Sequence, residues 1–452
     1  MKTMPVVQWT QRVDTHSTRI RYRFENERWM ETPMIDRKAG IYETVLLGVP
    51  ENSRVTFFFK AEVEAGNPNN GVDDQGNGAL FSPWESEQFT FTSGALPSII
   101  PRPTVSVFDP QLASGDRYLL GSVEDTADPD RYYAGPFWIY IMDRAGRIVW
   151  YYRDFASNPC MAYPRLSRDQ THLYIEKRSF FNEAGYQPKI LRMTLDYRHQ
   201  ETMDIPGLDD CMDITTDGGI LFNTHSSDDG SFLKERRPDG TIREIWSCDR
   251  WAIIHGLILT ENFCYSNTVS WIPQKDSVLL SFPYVSTVVE IDRSSGELVH
   301  QWGSALDSCS FEPETSGFEF NHFPTWTPEH TLLVSTHQPG HKDKKCVGKH
   351  RFVEYSMDDT ENALSVRWEY DNDDGQWPMY KGEAVRLDNG NTLINYGTGG
   401  VIKEVTPEKT VVWSVKWDAD FSDDHFNKMV GHMILLDDLY ALTRGWLSDA
   451  PQ

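Results

Sequence analysis

The fold of this chain is decided by a recurring strand pattern whose clearest copy, residues 267–303, reads NTVSWIPQKDSVLLSFPYVSTVVEIDRSSGELVHQWG. Its inner half is a polar-tipped strand, a turn and an apolar strand. Its outer half is a strand, a turn with Asp or Gly, and a strand that ends in Trp. Six outer halves begin at residues 137, 190, 232, 288, 352 and 401, and six inner halves begin at residues 162, 212, 267, 322, 383 and 432. A repeat of this length predicts a six-bladed β-propeller.

The two ends of the repeated region complement each other. The last inner half, which ends near Arg444, has no outer half after it, and the first outer half has only the short strand YLLGSV before it. Chain ends of this kind close a ring and remove exposed sheet edges. We therefore expect the C-terminal strands to be structurally indispensable.

The N-terminal part has a different strand pattern. Residues 5 to 94 alternate apolar and polar side chains between Gly, Asn and Asp turns, which predicts a small β-sandwich resembling a fibronectin type III module. Pro97, Pro101 and Pro103 then indicate a linker. The predicted organisation is all-β, with a sandwich at 1–95, a Pro-rich linker at 96–106 and the propeller at 107–452.

Composition excludes several function classes. A formal net charge of -24 repels phosphate backbones and anionic lipid surfaces, so nucleic acid and membrane are not expected partners. The N-terminus lacks the apolar core of a secretory signal, and no apolar run is long enough to span a bilayer, which predicts a cytoplasmic protein. The six cysteines form no C-x-x-C pair, and we expect buried free thiols unless the compartment is oxidising.

The starts of the innermost strands supply the candidate pocket, because in a propeller they line the central funnel. Aligned, they give Tyr163, Pro164, Cys211, Met212, Ser266, Asn267, Asn321, His322, Lys381, Glu383, Gly431 and His432. Polar groups that converge in a concave place are typical of a binding or active site. This set predicts a small-molecule substrate in the funnel and no cofactor.

Three segments resemble the arylsulfate sulfotransferase (ASST-like) family: residues 267–303, 320–336 and 382–415. The resemblance implies a six-bladed propeller with an N-terminal β-domain. It also implies transfer of a sulfuryl group between phenols through a covalently modified funnel histidine. His322, in the context NHFPT, falls where the family's nucleophilic histidine lies.

Several of the family's funnel residues are replaced in this chain. Its H-x-N segment reads Tyr265-Ser266-Asn267, its arginine falls near Tyr284, and another funnel histidine falls at Cys211 or Met212. Transfer of an anionic sulfuryl group needs cationic or hydrogen-bonding donors aimed at its oxygens. The chain is therefore interpreted as a divergent member whose chemistry has changed.

Each candidate residue has an expected functional role and a structural alternative. His322 is a nucleophile or a general acid or base, or else a histidine that only bonds a neighbouring blade. The further catalytic candidates are Tyr265, Lys381, Glu383 and His255. The alternative for Tyr265 is packing, that for Lys381 and Glu383 is a surface ion pair, and that for His255 is a buried structural histidine. The substrate-binding candidates are Asn267, Asn321, Tyr284, Tyr163, Cys211, His432 and Tyr380.

Two further features are weaker candidates for sites. His225, His337 and His432 end or begin strands in three blades, but no metal-ligand spacing supports a metal site, and none is predicted. The basic stretch 341–351 is either an anion-attracting loop or a solvated connection.

The leading function hypothesis is a lyase or isomerase that acts on an aromatic or otherwise polar small molecule through His322. The alternatives are an arylsulfate sulfotransferase and a non-catalytic propeller that binds a ligand or a protein.

Overall fold

The structure describes most of the chain. In this computed structural model, the described residues are 4–11, 15–34, 40–64, 81–124, 137–154, 163–177, 187–224, 230–260, 262–305, 309–337, 350–358, 360, 362–371, 381–417, 421–422, 425–426 and 429–444. Strands dominate these ranges, which confirms the all-β fold class.

The N-terminal region contains two small sheets. Its strands are β1 (Val6–Gln11), β2 (Thr15–Phe24), β3 (Met30–Glu31), β4 (Gly40–Val45), β5 (Arg54–Glu64), β6 (Phe81–Glu85) and β7 (Phe89–Thr92). One sheet pairs β1 with β4, and the other has the order β3-β2-β5-β6, with β7 also paired to β5. All of these pairs are antiparallel.

Six larger sheets follow and are numbered here in chain order. Sheet 1 contains β9 (Tyr118–Glu124), β10 (Phe137–Asp143), β11 (Ile148–Tyr152) and, from the end of the chain, β35 (Val430–Leu436). Sheet 2 contains β12 (Pro164–Leu166), β13 (Leu173–Lys177), β14 (Lys189–Met193) and β15 (Gln200–Asp204). Sheet 3 contains β16 (Met212–Ile214), β17 (Ile220–Thr224), β18 (Phe232–Arg236) and β19 (Ile242–Ser247).

The remaining three sheets complete the series. Sheet 4 contains β20 (Val269–Ile272), β21 (Ser277–Phe282), β22 (Thr287–Asp292) and β23 (Leu298–Gly303). Sheet 5 contains β24 (Ser310–Glu312), β25 (Glu319–Trp326), β26 (Leu332–His337), β27 (His350–Asp358) and β28 (Ala363–Asp371). Sheet 6 contains β8 (Pro103–Phe108), β29 (Gly382–Arg386), β30 (Thr392–Tyr396), β31 (Val401–Val405) and β32 (Val411–Trp417).

The other elements are short. Helix α1 spans Cys248–Ile254, and 3-10 turns span Pro283–Val285, Glu314–Ser316, Gly397–Gly399 and Ala441–Thr443. Strands β33 (Phe421–Ser422) and β34 (His425–Phe426) pair with each other. No helix among the described residues is long and apolar enough to cross a bilayer.

The Asp-containing turns that mark the outer halves in the sequence are built by side-chain to backbone hydrogen bonds. In each, an Asp side chain accepts the backbone N–H two residues further on. The acceptors are Asp143, Asp196, Asp239, Asp292 and Asp358. This bond mimics a backbone turn, which explains why the repeat places Asp there.

The six sheets contact one another in a cycle. Strand β12 contacts β9 and β16, β16 contacts β20, β20 contacts β25, β25 contacts β29, and β35 contacts β30. Strand β35 joins sheet 1 by pairing with β9, although about 300 residues separate them. This is the order that a β-propeller requires. The blade count of six and the fibronectin type III identity of the N-terminal sheets stay predictions.

Tyrosine hydroxyls connect the N-terminal region to the end of the chain. The hydroxyls of Tyr22 and Tyr440 lie 2.9 Å apart. The Tyr22 hydroxyl donates to the Leu47 carbonyl, and the Tyr440 hydroxyl donates to the Val45 carbonyl and accepts from the Leu47 N–H group. Both tyrosines are buried. The N-terminal sheets are therefore packed against the segment that follows the ring-closing strand.

Two features differ from the simplest sequence expectation. Strand β8 begins at Pro103, inside the predicted linker, and pairs with β32 as the outermost strand of sheet 6, where a proline at the strand start removes no ladder bond. The expectation of free thiols is wrong for two cysteines, because Cys248 and Cys264 form a disulfide across 16 residues. The sequence missed it because neither spacing nor composition reveals that the start of α1 meets the turn before Tyr265. Cys211 and Cys309 are free thiols.

Candidate functional site

The backbone around His322 is irregular on both sides. The register between β25 and β26 shifts before and after His322. Phe320 and Phe323 adopt left-handed backbone conformations, with φ of 51° and 45°. Non-glycine residues seldom occupy this region, and when they do so they cluster at functional sites. The two irregularities therefore hold His322 in an orientation that a regular strand would not give.

Asn267 fixes the tautomer of His322. Asn267 Nδ2 lies 2.9 Å from His322 Nδ1 and 3.0 Å from the carbonyl oxygen of Asn321, which can only accept a hydrogen bond. On its other side, Asn267 Oδ1 accepts from the Thr268 hydroxyl. The amide nitrogen must therefore face both His322 and Asn321, so His322 Nδ1 accepts and the neutral ring carries its proton on Nε2.

His322 Nε2 is a buried donor with nothing to donate to. The side chain is 7% exposed, and Nε2 has no hydrogen-bond partner in the part of the chain that the structure describes. Burial lowers the pKa of His322 to about 3, with smaller contributions from His337 and Lys381 and an opposing one from Asp210. The imidazole is therefore neutral at neutral pH and presents an N–H group.

The side-chain amide nitrogen of Asn321 is used in hydrogen bonds to sheet 4. Its Nδ2 donates to the Ser281 hydroxyl at 2.6 Å and to the Thr287 carbonyl at 3.2 Å. The Ser281 hydroxyl in turn donates to the Asn321 carbonyl. These bonds tie the start of β25 to sheet 4 and position the carbonyl on which Asn267 depends.

Lys381 and Tyr163 form a cation–aromatic contact beside this group. Lys381 is 5% exposed, has φ of 62°, and places Nζ 4.2 Å from the centroid of the Tyr163 ring. Burial raises the pKa of the Tyr163 hydroxyl well above its usual range, so this tyrosine stays protonated. Burial likewise raises the pKa of Cys211, whose thiol contacts the Asn267 carbonyl oxygen at 3.1 Å. Tyr163 and Cys211 are therefore both protonated at neutral pH.

An aromatic surface leads from Tyr265 towards His322. The ring centroids of Tyr265 and Tyr284 lie 5.8 Å apart, those of Tyr284 and Phe320 5.4 Å, and those of Phe320 and His322 6.3 Å. Tyr284 is 49% exposed, so this surface is accessible. Edge-to-face rings of this kind suit an aromatic ligand.

Asp210 belongs to the group, although it was not among the residues predicted from the sequence. The Tyr265 hydroxyl lies 2.8 Å from Asp210 Oδ2, and Asp210 is 5% exposed. Its charge acts on His322, as the opposing effect on the histidine pKa indicates. The available signal was its place directly before Cys211, one position ahead of the aligned strand starts.

Two buried histidines stand behind His322. His337 and His350 face each other at the ends of β26 and β27, with ring centroids 5.1 Å apart and edge to face. His350 Nε2 lies 2.9 Å from the Ser335 hydroxyl. Burial, then His337 and His322, lowers the pKa of His350 well below its usual range. From the sequence, His337 was considered only as a possible metal ligand, and His350 was not predicted.

Glu383 and His432 lie apart from His322. Glu383 Oε1 and His432 Nδ1 are 2.6 Å apart, and both residues line a pocket that does not include His322 or Lys381. The rings of Tyr163, Phe323 and His432 form a cluster in which each ring contacts the other two, with centroid separations of 5.5 Å, 5.6 Å and 6.4 Å. The predicted site is therefore divided into a group around His322 and a second group around His432.

Some predicted residues are not brought to either group. His255 is exposed at the C-terminal end of α1 and contacts Trp251, with ring centroids 6.1 Å apart. Tyr380 and His225 lie outside the described residues, as do residues 341–349 of the basic stretch. Within the described ranges, no group of three or more His, Cys, Asp or Glu side chains is arranged to hold a metal ion.

Comparison with known proteins places this geometry in a family. Residues 247–427, which include Tyr265, Asn267, His322, Lys381 and Glu383, match the family model described as arylsulfotransferase (ASST). We call this part of the chain the ASST domain, after the family model that it matches. The predicted resemblance is thereby confirmed over these residues. The ASST domain begins at α1 and contains the disulfide as well as both bulges of β25.

Similar solved structures are distant in sequence. TolB from Acinetobacter baumannii is 11% identical, with 85% of this chain and 79% of that chain covered and a TM-score of 0.44. A protein of unknown function from Bacteroides caccae is 14% identical, with coverages of 70% and 100% and a TM-score of 0.44. The virginiamycin B lyase from Staphylococcus aureus, solved as a catalytically inactive variant with quinupristin, is 12% identical, with coverages of 69% and 87% and a TM-score of 0.39. No curated protein matches the chain in sequence.

Proposed function

We propose that the ASST domain is catalytic and that it carries out proton-transfer chemistry, an elimination or an isomerisation, on an aromatic or polar small molecule. The observation that supports this most directly is the buried, unpartnered Nε2 of His322. Because the pKa of His322 is about 3, the imidazole is neutral at neutral pH and donates a hydrogen bond from an uncharged N–H group. Such a donor stabilises negative charge that develops on a substrate oxygen.

The remaining groups fit the same reaction class. Asp210 is the proposed proton acceptor, held by the Tyr265 hydroxyl at 2.8 Å. Lys381 supplies a buried positive charge that favours an anionic intermediate. The rings of Tyr284 and Phe320 offer a surface on which a planar substrate can stack. In this proposal one carboxylate takes the proton, and the imidazole and the ammonium group stabilise the charge that remains.

Sulfuryl transfer is the second candidate, because the family match favours it. A covalent sulfohistidine at Nε2 needs a lone pair on that nitrogen, and the Asn267 contact places the proton there. To free that lone pair, the ring would have to carry its proton on Nδ1, where the proton would point at the N–H group of the Asn267 amide. This opposition is why proton transfer is preferred.

The first experiment separates the two candidates. Purified full-length protein is incubated with 4-nitrophenyl sulfate, and its intact mass and the released nitrophenolate are measured, with His322→Ala as the control. We expect neither a sulfuryl adduct nor nitrophenolate above the level of the control. A mass gain of one sulfuryl group that vanishes in His322→Ala would establish sulfuryl transfer instead.

A second experiment tests proton transfer directly. The protein is incubated in D2O with a panel of aromatic compounds that carry an acidic C–H group, and deuterium incorporation is followed by NMR. His322→Gln keeps an N–H donor near the position of Nε2, whereas His322→Ala does not. We expect the Gln variant to retain measurable exchange and the Ala variant to lose about 100-fold or more, the usual effect of removing one oxyanion donor. Equal losses in the two variants would contradict the donor role.

A further inference from the structure

A pocket lies beside the rings of Phe323 and His432. It has a volume of about 660 Å³, and we call it the Arg165 pocket. Its walls include Arg165, Trp271, Phe323, Trp326, Glu383 and His432. The turns that connect the first and second strands of sheets 2, 4 and 6 form its rim, at residues 167–170, 273–274 and 387–389. Its size is within the range of small-molecule sites.

Arg165 is a buried cation with unused donors. It is 6% exposed, and its Nε donates to the Met212 carbonyl at 2.9 Å. Its Nη1 is buried and has no hydrogen-bond partner among the residues that the structure describes. The guanidinium carbon lies 5.3 Å from the centroid of the Phe323 ring. A buried charge is costly unless it is paired, so Arg165 is poised to take an anion.

The other two arginines of the pocket differ from Arg165 because their donors are engaged. Arg168 contacts Asp213 at 3.1 Å, and its Nε donates to the Ile214 carbonyl. Arg386 is bonded to Glu354 and donates to the Gly390 carbonyl at 2.9 Å. These contacts hold both arginines in place without a ligand, so they offer a matched comparison.

Four carboxylates also line the pocket: Asp116, Asp213, Glu383 and Asp388. Asp213 contacts Arg168, and Glu383 contacts His432 at 2.6 Å and is only 2% exposed. Glu383 is therefore paired with His432 and not with Arg165. A second unused donor lines the pocket, since Trp326 Nε1 is buried and has no acceptor within the described ranges. Two residues that line the cavity, Arg165 and Trp326, thus carry buried donors without a partner, and aromatic side chains line the same cavity.

We propose that the Arg165 pocket binds a small aromatic oxyanion, with its charged head on Arg165 and Trp326 and its ring against Phe323 and Trp271. An oxyanion satisfies both donors at once, and a planar guanidinium matches the geometry of a carboxylate or a sulfate. An aromatic ring gains stacking contact with the walls that an aliphatic ring does not. This site is separate from the one proposed for catalysis and does not depend on it.

The test is calorimetric titration of the full-length protein with benzoate and with phenyl sulfate. Cyclohexanecarboxylate keeps the charge but not the ring, and benzamide keeps the ring but not the charge. We expect saturable binding of both aromatic anions at one site, weaker binding of cyclohexanecarboxylate, and no binding of benzamide. Absence of binding by both anions at millimolar concentration would overturn the proposal.

Variants locate the ligand. Arg165→Met should weaken benzoate binding at least about tenfold, as expected for loss of a charge-assisted hydrogen bond, whereas Arg168→Met should change it much less. Trp326→Phe keeps the ring and removes the N–H group, and it should weaken binding about three- to tenfold even if Arg165→Met does not fold. His255→Gln, at an exposed residue outside both groups, should leave binding unchanged. Binding that survives Arg165→Met and Trp326→Phe but is lost in His322→Ala would place the ligand at His322 and overturn the proposal.

Discussion

The side chain of Asn267 decides which nitrogen of His322 carries the proton. Its Nδ2 bonds both the histidine and the Asn321 carbonyl, so turning the amide over would set its oxygen against a carbonyl oxygen and against the Thr268 contact. A single amide therefore makes His322 a donor at Nε2. A carboxylate at the same position would favour the opposite tautomer, because it can only accept.

Replacing Asn267 with Asp should therefore move the His322 proton to Nδ1 and raise the pKa of the ring. The rise should be about one to three units, the usual effect of a carboxylate close to a histidine. The measurement is nitrogen NMR of protein labelled at histidine, since the two ring nitrogens resonate differently when protonated. Asn267→Ala, which leaves Nδ1 without this partner, is the control. An unprotonated Nε2 signal for His322 in the native protein would contradict the assignment.

At the scale of strands, sheets 5 and 6 approach each other closely at Gly382. A Cβ added at Gly382 would lie 2.2 Å from the Ser335 hydroxyl oxygen and 3.4 Å from His350. The contact joins the start of β29, directly after Lys381, to β26 and β27 behind His322. The glycine is required for space rather than for its backbone angles.

Gly382→Ala should lower the free energy of unfolding by about 1 to 3 kcal/mol, the usual cost of overpacking. Denaturant unfolding measures it. Ser335→Ala removes the clashing oxygen, so the double variant Ser335→Ala, Gly382→Ala should lose less stability than the two single losses added together. Strict additivity would mean that the two strands do not meet at this point.

The disulfide Cys248–Cys264 acts on the segment that leads to Tyr265 and Asn267. It joins the start of α1 to the residue just before Tyr265 and closes a short loop. A loop of this length contributes about 3 kcal/mol in the chain-entropy account. We expect a reductant to lower the melting temperature of the native protein but not that of the Cys248→Ser, Cys264→Ser variant, which should already melt lower. Equal melting temperatures of the oxidised protein and the variant would show that the bridge adds no stability.

How far the sequence predicted these features depends on how local they are. The repeat and its turns were predictable because strand periodicity and Asx-turn chemistry are local, and the closeness of Asn267 and His322 followed from aligning the strand starts. The separation of Glu383 and His432 from His322 was not predictable. The left-handed backbone of Phe320 and Phe323 was not predictable either, because no sequence pattern indicates it at a phenylalanine.

For the molecule as a whole, buried neutral histidines make stability depend on pH. The pKa of His322 falls to about 3, and those of His350 and His432 are lowered, in each case chiefly by burial. Below pH about 6.5 the unfolded chain binds protons at these histidines that the folded chain cannot. Their contribution is therefore complete above that pH and is lost as the pH falls towards the folded-state values.

We expect the free energy of unfolding to fall as the pH drops from 6.5 to 4.5, and His322, whose folded-state pKa is about 3, contributes up to about 1.4 kcal/mol per pH unit. Urea unfolding at several pH values measures the slope. His322→Gln should reduce it by one histidine's share, while a surface variant such as His255→Gln, at an exposed residue, serves as the matched control. A slope that is unchanged in His322→Gln would mean that His322 takes up a proton in the folded protein.

The pairing of β35 with β9 has a consequence for synthesis on the ribosome. Strand β9 is buried along its whole length in the finished protein, and its inner partner is made about 300 residues later. At roughly 5 to 20 residues per second, that edge waits for about 15 to 60 seconds without its neighbour. During this interval the nascent chain presents an open apolar strand edge to anything nearby. We therefore expect the nascent chain to need a chaperone that covers β9 until translation ends.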